Sequence, residues 1–160
     1  MIRFYDIDEE YINFLKTIDT QIPNIRYDTN NKFVCGIVLN IGDINYYAPI
    51  SHMTSRQRTN MQITEGSRVL STIRFSFMFP ATEEVLTIKD FASISLQNPR
   101  YSELLQAEYS FCRTHENQIR RKALQVYQIG CNKQHVLNHT CCDFKQLEQH
   151  YMKFFEREIS

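Results

Sequence analysis

Apolar positions along the chain follow two rhythms, and the rhythm changes past the middle. From Val34 to Ile41 the run VCGIVLNI is almost continuously apolar, as in a strand covered on both faces. Ile44, Tyr46 and Tyr47 resume beyond Gly42-Asp43, and Gly-Asp between apolar runs predicts a hairpin. Upstream, Ile2–Tyr5 reads as a first strand. Asp8 then caps a helix whose Tyr11, Phe14, Leu15 and Ile18 share a stripe, stopped by Pro23. Downstream, Ser67–Phe79 reads as one strand in which Ile73, Phe75, Phe77 and Phe79 alternate with Arg74, Ser76 and Met78; Pro80 closes it, and Val85–Ile88 adds a short strand.

Beyond that point the period becomes helical. Asn98 with Pro99 opens a helix carrying Tyr101, Leu104, Leu105, Glu108, Phe111 and Cys112 on its stripe. A second carries Ile119, Ala123, Leu124, Val126 and Tyr127 up to Gly130, and Asp143 caps a last one with Gln146 in the capping-box place and Leu147, Tyr151, Phe154 and Phe155 along it. A strand-rich amino half packed on a helical carboxyl half predicts an α+β fold, with residues 1–160 forming one domain. Two stretches keep neither rhythm. One is polar, 24–31, and holds Arg26 and Tyr27. The other, His52–Gly66, is rich in Thr, Ser, Arg and Asn and too long for a mere connector, so it predicts a functional loop.

Composition narrows the classes. A hydrophobic content of 42% with only four glycines and four prolines argues for an ordered globular chain. No apolar run spans a membrane, and the opening MIRFYDIDEEY lacks a signal core, so the expectation is a cytoplasmic protein with no membrane partner. Five cysteines without a CxxC pair predict free thiols in a reducing compartment. The charges balance, 18 basic against 18 acidic, yet they are segregated. Ile44–Thr64 holds no acid but contains His52, Arg56 and Arg58; between 113 and 122, Arg113, Arg120, Arg121 and Lys122 face one acid, Glu116. A basic groove on a neutral molecule is therefore permitted, as is ordinary surface patterning.

A hairpin brings its open ends together, so Lys32 is expected beside Ser51 and His52. One reading is a strand pair with a solvated lysine and a polar turn. The other is a site for phosphate-ester chemistry, in which a cation, a hydroxyl and an imidazole converge. Scattered glycines exclude a P-loop or Rossmann site, and Ser51 lacks the GxSxG elbow of a hydrolase. The acid-free segment offers no carboxylates for a two-metal nuclease. Cys131, His135 and His139, with Cys141 and Cys142 close by, form a ligand set that zinc accepts, although Gly130 marks a helix end there. What survives is attack by an RNA 2′-hydroxyl, needing no metal or cofactor. Lys32 answers charge on phosphorus, His52 exchanges protons, Ser51 holds an oxygen, and Tyr27 stacks on a base. A non-catalytic RNA-binding module and a zinc-stabilised interaction domain are the alternatives.

These residues carry a resemblance that covers essentially the whole chain. Lys32-(x)3-Gly36-Ile37-Val38-Leu39, then Tyr47-Ala48-Pro49-Ile50-Ser51, then Cys142-Asp143-Phe144 with Leu147, Glu148 and Tyr151 resemble, in order and spacing, the ToxN–AbiQ-like endoribonucleases of type III toxin–antitoxin systems. The resemblance implies a strongly twisted antiparallel sheet with flanking helices. It implies metal-independent cleavage of single-stranded RNA to 2′,3′-cyclic phosphate and 5′-hydroxyl ends, acting on cellular or phage mRNA. It further implies inhibition by a small pseudoknot RNA antitoxin that the toxin cuts from its precursor, closed protein–RNA rings, and a role in phage defence or in plasmid or chromosomal maintenance. By position, Lys32 matches the family's lysine, Tyr27 lies near its loop tyrosine, and Ser51 matches the first hydroxyl of its Thr/Ser-Ser pair. The chain departs at the next position, which is His52, and at Thr54, where a lysine is frequent; Arg56 is the nearest cation. Catalytic roles are thus expected of Lys32, Ser51 and His52, and RNA contacts of Arg26, Tyr27, Arg56, Arg58, Arg113, Arg120, Arg121 and Lys122.

Overall fold

A computed structural model describes residues 1–24 and 32–156. The sheet is built from β1 (Arg3–Ile7), β2 (Val34–Ile41), β3 (Ile44–Ser51), β4 (Asn60–Glu65), β5 (Arg68–Arg74), β6 (Phe79–Pro80) and β7 (Leu86–Ile88). Every pairing among them is antiparallel. The spatial order is β4-β5-β3-β2-β1-β7, with the two-residue β6 pairing beside β3. The predicted hairpin β2–β3 therefore lies at the centre. Its turn uses Gly42 at φ 61°, a left-handed conformation that costs glycine little. Further along β2, a side chain at Gly36 would overlap the ring of Tyr47, so the two strands meet there only because position 36 has none.

Helices flank this frame: α1 (Glu9–Ile18), α2 (Phe91–Gln97), α3 (Pro99–Thr114), α4 (Glu116–Cys131), α5 (Phe144–His150) and α6 (Lys153–Glu156). The anticipated caps are present: Asp8 accepts from the Glu10 N–H, Asn98 from Tyr101 and Asp143 from Gln146. α4 buries Ile119, Ala123 and Val126. Where α4 and α5 meet the sheet, Tyr46, Tyr127 and Phe144 pack ring against ring. Both tyrosine hydroxyls there donate to one oxygen of Glu148, at 2.6 and 2.7 Å. That satisfies polar groups the core could not otherwise hold. On the same side as α3, Cys35 and Cys112 are fully buried free thiols.

Five elements differ from the sequence expectations. The strand expected over Ser67–Phe79 ends at Arg74, where a 3-10 turn over Phe75–Phe77 interrupts it before Phe79-Pro80 resumes in the same direction along β3, pairing with Tyr46-Tyr47. Alternation misleads there because the turn buries Phe75 and Phe79 from a different geometry. The expected long loop from His52 is shorter, since its second half is β4, turned at Gly66 (φ 61°) into β5. Helix α2 was not anticipated; Asp90 caps it, but only the half-buried Phe91 and Ile94 pack on the core, too short a stripe to stand out in the sequence. The first helix ends at Ile18 with Asp19 as its C-cap, ahead of Pro23, and the last breaks at Tyr151 into α5 and α6.

Candidate functional site

The open end of the central hairpin is fixed by its register. Val34 pairs with Pro49, and the Ile50 N–H donates to the Phe33 carbonyl at 3.1 Å, so Lys32 falls opposite Ser51 one step beyond. Residues directly opposite in an antiparallel pair share a face and stand about 5 Å apart at Cα. The row continues across the sheet, because Ser51 pairs with Thr72 and Thr72 with Gln62. Ser51, Thr72 and Gln62 thus form one polar row over three strands, on the face opposite Ser71 and the buried Glu108, and the register extended one step ahead of β2 brings Lys32 to its end.

This row holds down the loop 52–59. The Ser51 Oγ accepts the Met53 N–H at 3.2 Å, and the Thr72 Oγ1 donates to the Met53 carbonyl at 2.9 Å. Gln62 gives an amide N–H to the Thr54 carbonyl at 2.9 Å, and Asn60 gives one to Ser55 while accepting from Gln57. Since Ser51 accepts through one lone pair, its own O–H is available to donate. Ser51 is 8% exposed, Lys32 half-buried, and His52 open to solvent at the start of the loop.

The anticipated cations divide into three groups. Arg56 and Arg58 project from the loop and meet Lys122 of α4 around a groove of about 560 Å³ at the sheet edge. Burial first, and after it the charges of Arg56 and Arg58, push the Lys122 ammonium below its ordinary value. On the other side of the loop, Arg56 and Arg58 border a second groove with Arg74, whose guanidinium lies 4.3 Å over the Phe77 ring. Arg120 and Arg121 line a separate, mostly apolar hollow with Ile37, Leu39 and Leu124. Arg113 is answered within the molecule, by the Tyr109 hydroxyl at 3.2 Å and by Glu116 at 3.2 Å; Arg120 also reaches Glu116, at 3.5 Å. Arg26 and Tyr27 lie outside the described residues.

Sequence reasoning missed Thr72, Gln62, Asn60, Arg74 and Phe111. The alternation Met61-Gln62-Ile63-Thr64 followed by Gly66-Ser67 was the signal for Gln62 and Asn60, a strand running into a two-residue turn. Among the described residues no three His, Cys, Asp or Glu side chains gather to hold a metal ion. Cys141 and Cys142 are core residues whose thiols burial pushes up, and His135 Nδ1 accepts from the Leu137 N–H. No helix among the described residues is long and apolar enough to cross a membrane.

Comparison with known proteins sharpens the picture. The family model described as toxin ToxN of type III toxin–antitoxin systems matches residues 3–152. The chain is similar to the endoribonuclease ToxN of Pectobacterium atrosepticum, 28% identical over 96% of this chain and 94% of that protein. Its fold is similar to that of a type III toxin described as selectively inhibited by a non-coding RNA pseudoknot (TM-score 0.89, 20% identity, 97% of this chain and 98% of that one). It is likewise similar to AbiQ, described as a lactococcal anti-phage endoribonuclease (TM-score 0.86, 22% identity, 98% and 99% covered).

Proposed function

The chain belongs to the ToxN toxin family of type III toxin–antitoxin systems, and we propose that it is an endoribonuclease whose centre is the open end of the β2–β3 hairpin. The observation that carries the assignment is the register that sets Lys32 opposite Ser51, beside an arginine-bearing loop and an acid-free segment, Ile44–Thr64. In the proposed reaction the ribose 2′-oxygen attacks phosphorus and gives up its proton, and the P–O5′ bond breaks as the 5′-oxygen gains one. The products are a 2′,3′-cyclic phosphate and a 5′-hydroxyl. The Lys32 ammonium answers the charge that builds on the non-bridging oxygens, where a fixed cation acts without reorganisation. The Ser51 O–H, oriented by the Met53 N–H, donates to one of those oxygens. His52, exposed at the lip, exchanges the proton with the 2′- or 5′-oxygen.

This chemistry asks for no divalent ion, and the donor set agrees, being cationic and hydroxylic where a two-metal site requires converging carboxylates. Arg56, Arg58 and Lys122 grip the phosphates of single-stranded substrate, a cellular or phage mRNA in the cytoplasm. Kinship with a toxin inhibited by a pseudoknot supports a small structured RNA as the antitoxin. In this reading that RNA lies along the same groove, is cut from its precursor by the toxin, and closes with it into a protein–RNA ring serving phage defence or replicon maintenance. Purified protein incubated with a long single-stranded RNA in EDTA tests the assignment: fragments ending in cyclic phosphate are expected, and retention of intact RNA would replace the enzyme with a binding module. Lys32→Ala is expected to slow cleavage about 10²- to 10³-fold, and full activity in that variant would refute the site.

A further inference from the structure

We propose that the pocket at the outer edge of β4, between Phe111, Lys122 and the loop arginines, is a base-binding subsite that selects the nucleotide next to the scissile phosphate. Its placement relative to the cut rests on the ribonuclease reading above; what it adds is which residues choose the base.

Three observations converge there. β4 is the outermost strand on its side of the sheet, so the pocket opens where no further strand is paired among the described residues. Its lining includes Arg56, Arg58, Gln62, Phe111 and Lys122 and contains no carboxylate. Cations gathered without a counter-charge favour an anion over any neutral ligand. The pocket also has a flat aromatic wall. The Phe111 ring is half-buried and stacks on His115 at 4.0 Å and 20°, while His115 Nδ1 lies 2.8 Å from the Phe111 carbonyl. His115 lines the adjoining groove and not this pocket, while Phe111 borders both, so the stack holds the phenyl ring in place where it meets the pocket. Aromatic faces beside a cationic track are how proteins hold unpaired bases.

Position decides which base. Gln62, on the pocket wall, is the third member of the row Ser51–Thr72–Gln62. Two strand spacings separate it from Ser51, about 10 Å, within reach of the nucleotide beside the one being cut. The arginines and Lys122 hold phosphate and are indifferent to sequence. The ring and the Gln62 amide, oriented by its bond to the Thr54 carbonyl, meet the base itself.

The test uses the whole protein and a short fluorescein-labelled single-stranded RNA, 2′-O-methylated throughout so that it is not cut, with one abasic site walked through its length. For the wild-type protein, one position is expected at which losing the base weakens binding about 5- to 150-fold. Phe111→Leu should lose affinity to a similar extent and become indifferent to the abasic site at that position, and Phe111→Trp should restore both. Lys122→Ala should weaken binding at every position while leaving the abasic pattern in place. Binding by the wild-type protein that is insensitive to the abasic site at every position overturns the subsite, as does a Phe111→Leu protein that binds and discriminates like wild type. Sequencing the ends cut from unmodified RNA separates the two ideas. Base preference relaxing at one position beside the cut in Phe111→Leu supports the subsite. An abasic pattern in binding with no cleavage by wild type would leave the subsite standing and remove the endonuclease.

Discussion

Replacing Thr72 by Val tests whether the polar row does more than decorate the sheet. Thr72 is fully buried, and its hydroxyl donates to the Met53 carbonyl at 2.9 Å. Valine keeps the shape and the strand preference of threonine but removes the donor. The net loss of one such bond is about 0.5–1.5 kcal/mol, with a further cost for the stranded carbonyl of up to about 3 kcal/mol if it were fully dry. Met53 is only partly buried, so water recovers part of that, and a total near 1–2 kcal/mol follows. For a chain of this size, that lowers Tm by about 2–8 °C. The effect on rate should be out of proportion to the effect on stability. Met53 is the residue after His52, and its backbone is held from both sides, by Ser51 and by Thr72. Releasing it lets the imidazole and the Ser51 hydroxyl drift, and a misplacement of about 1 Å costs on the order of 100-fold. Single-turnover cleavage at saturating enzyme, run beside thermal unfolding, is the assay. A 10- to 100-fold slower cut with RNA affinity nearly kept is expected, and Thr72→Ser should recover most of the rate. If Thr72→Val cuts at the wild-type rate while losing the expected Tm, the loop needs no pinning and the row is only structural.

Other consequences can be measured independently. His52→Ala should slow cleavage about 10²- to 10⁴-fold with binding kept, and should change the shape of the pH–rate profile; the same shape would make the imidazole a bystander. For single-stranded RNA the slope of log K against log salt is about −0.7 per neutralised phosphate, so Arg58→Ala should flatten the wild-type slope by about that amount, and an unchanged slope would remove Arg58 from the phosphate track. Burial raises the Glu108 carboxyl above its ordinary value, outweighing the opposing Ser71 hydrogen bond. Its contribution to stability is therefore fully present below the unfolded value near 4.5 and is lost as pH rises toward the folded one. Glu108→Gln removes that titration, so its Tm relative to wild type should climb as pH rises above that value; a pH-independent difference would refute the buried-acid account.

What could be read in the sequence was whatever a local pattern encodes. The β2–β3 hairpin and the caps at Asp8, Asn98 and Asp143 follow from apolar runs and turn dipeptides, and the structure has them; the hairpin's register in turn leads Lys32 toward Ser51. Thr72 could not be recognised in this way. Its role arises only because β5 pairs with the far side of β3, a contact between segments with no shared local signal. Lys122 lies in a basic stretch of α4 that looked uniform, yet the fold separates it from Arg113 and Arg120, which Glu116 answers, and turns it toward Arg56 and Arg58. The 3-10 turn at Phe75 was hidden because aromatic residues are buried in strand and turn alike.

The β2–β3 hairpin stands mid-sheet, with β5 hydrogen-bonded along one side and β1 along the other. Segments so enclosed open only with the whole molecule, and local fluctuations belong to the margins. A repressor that worked by bending this centre out of shape would have to strain the stiffest portion of the protein. Covering it demands far less, and an elongated polyanion already matches the surface to be hidden. For the RNA antitoxin proposed above, obstruction is therefore the mode such an architecture would favour, and lifting the cover would restore activity with no refolding of the centre.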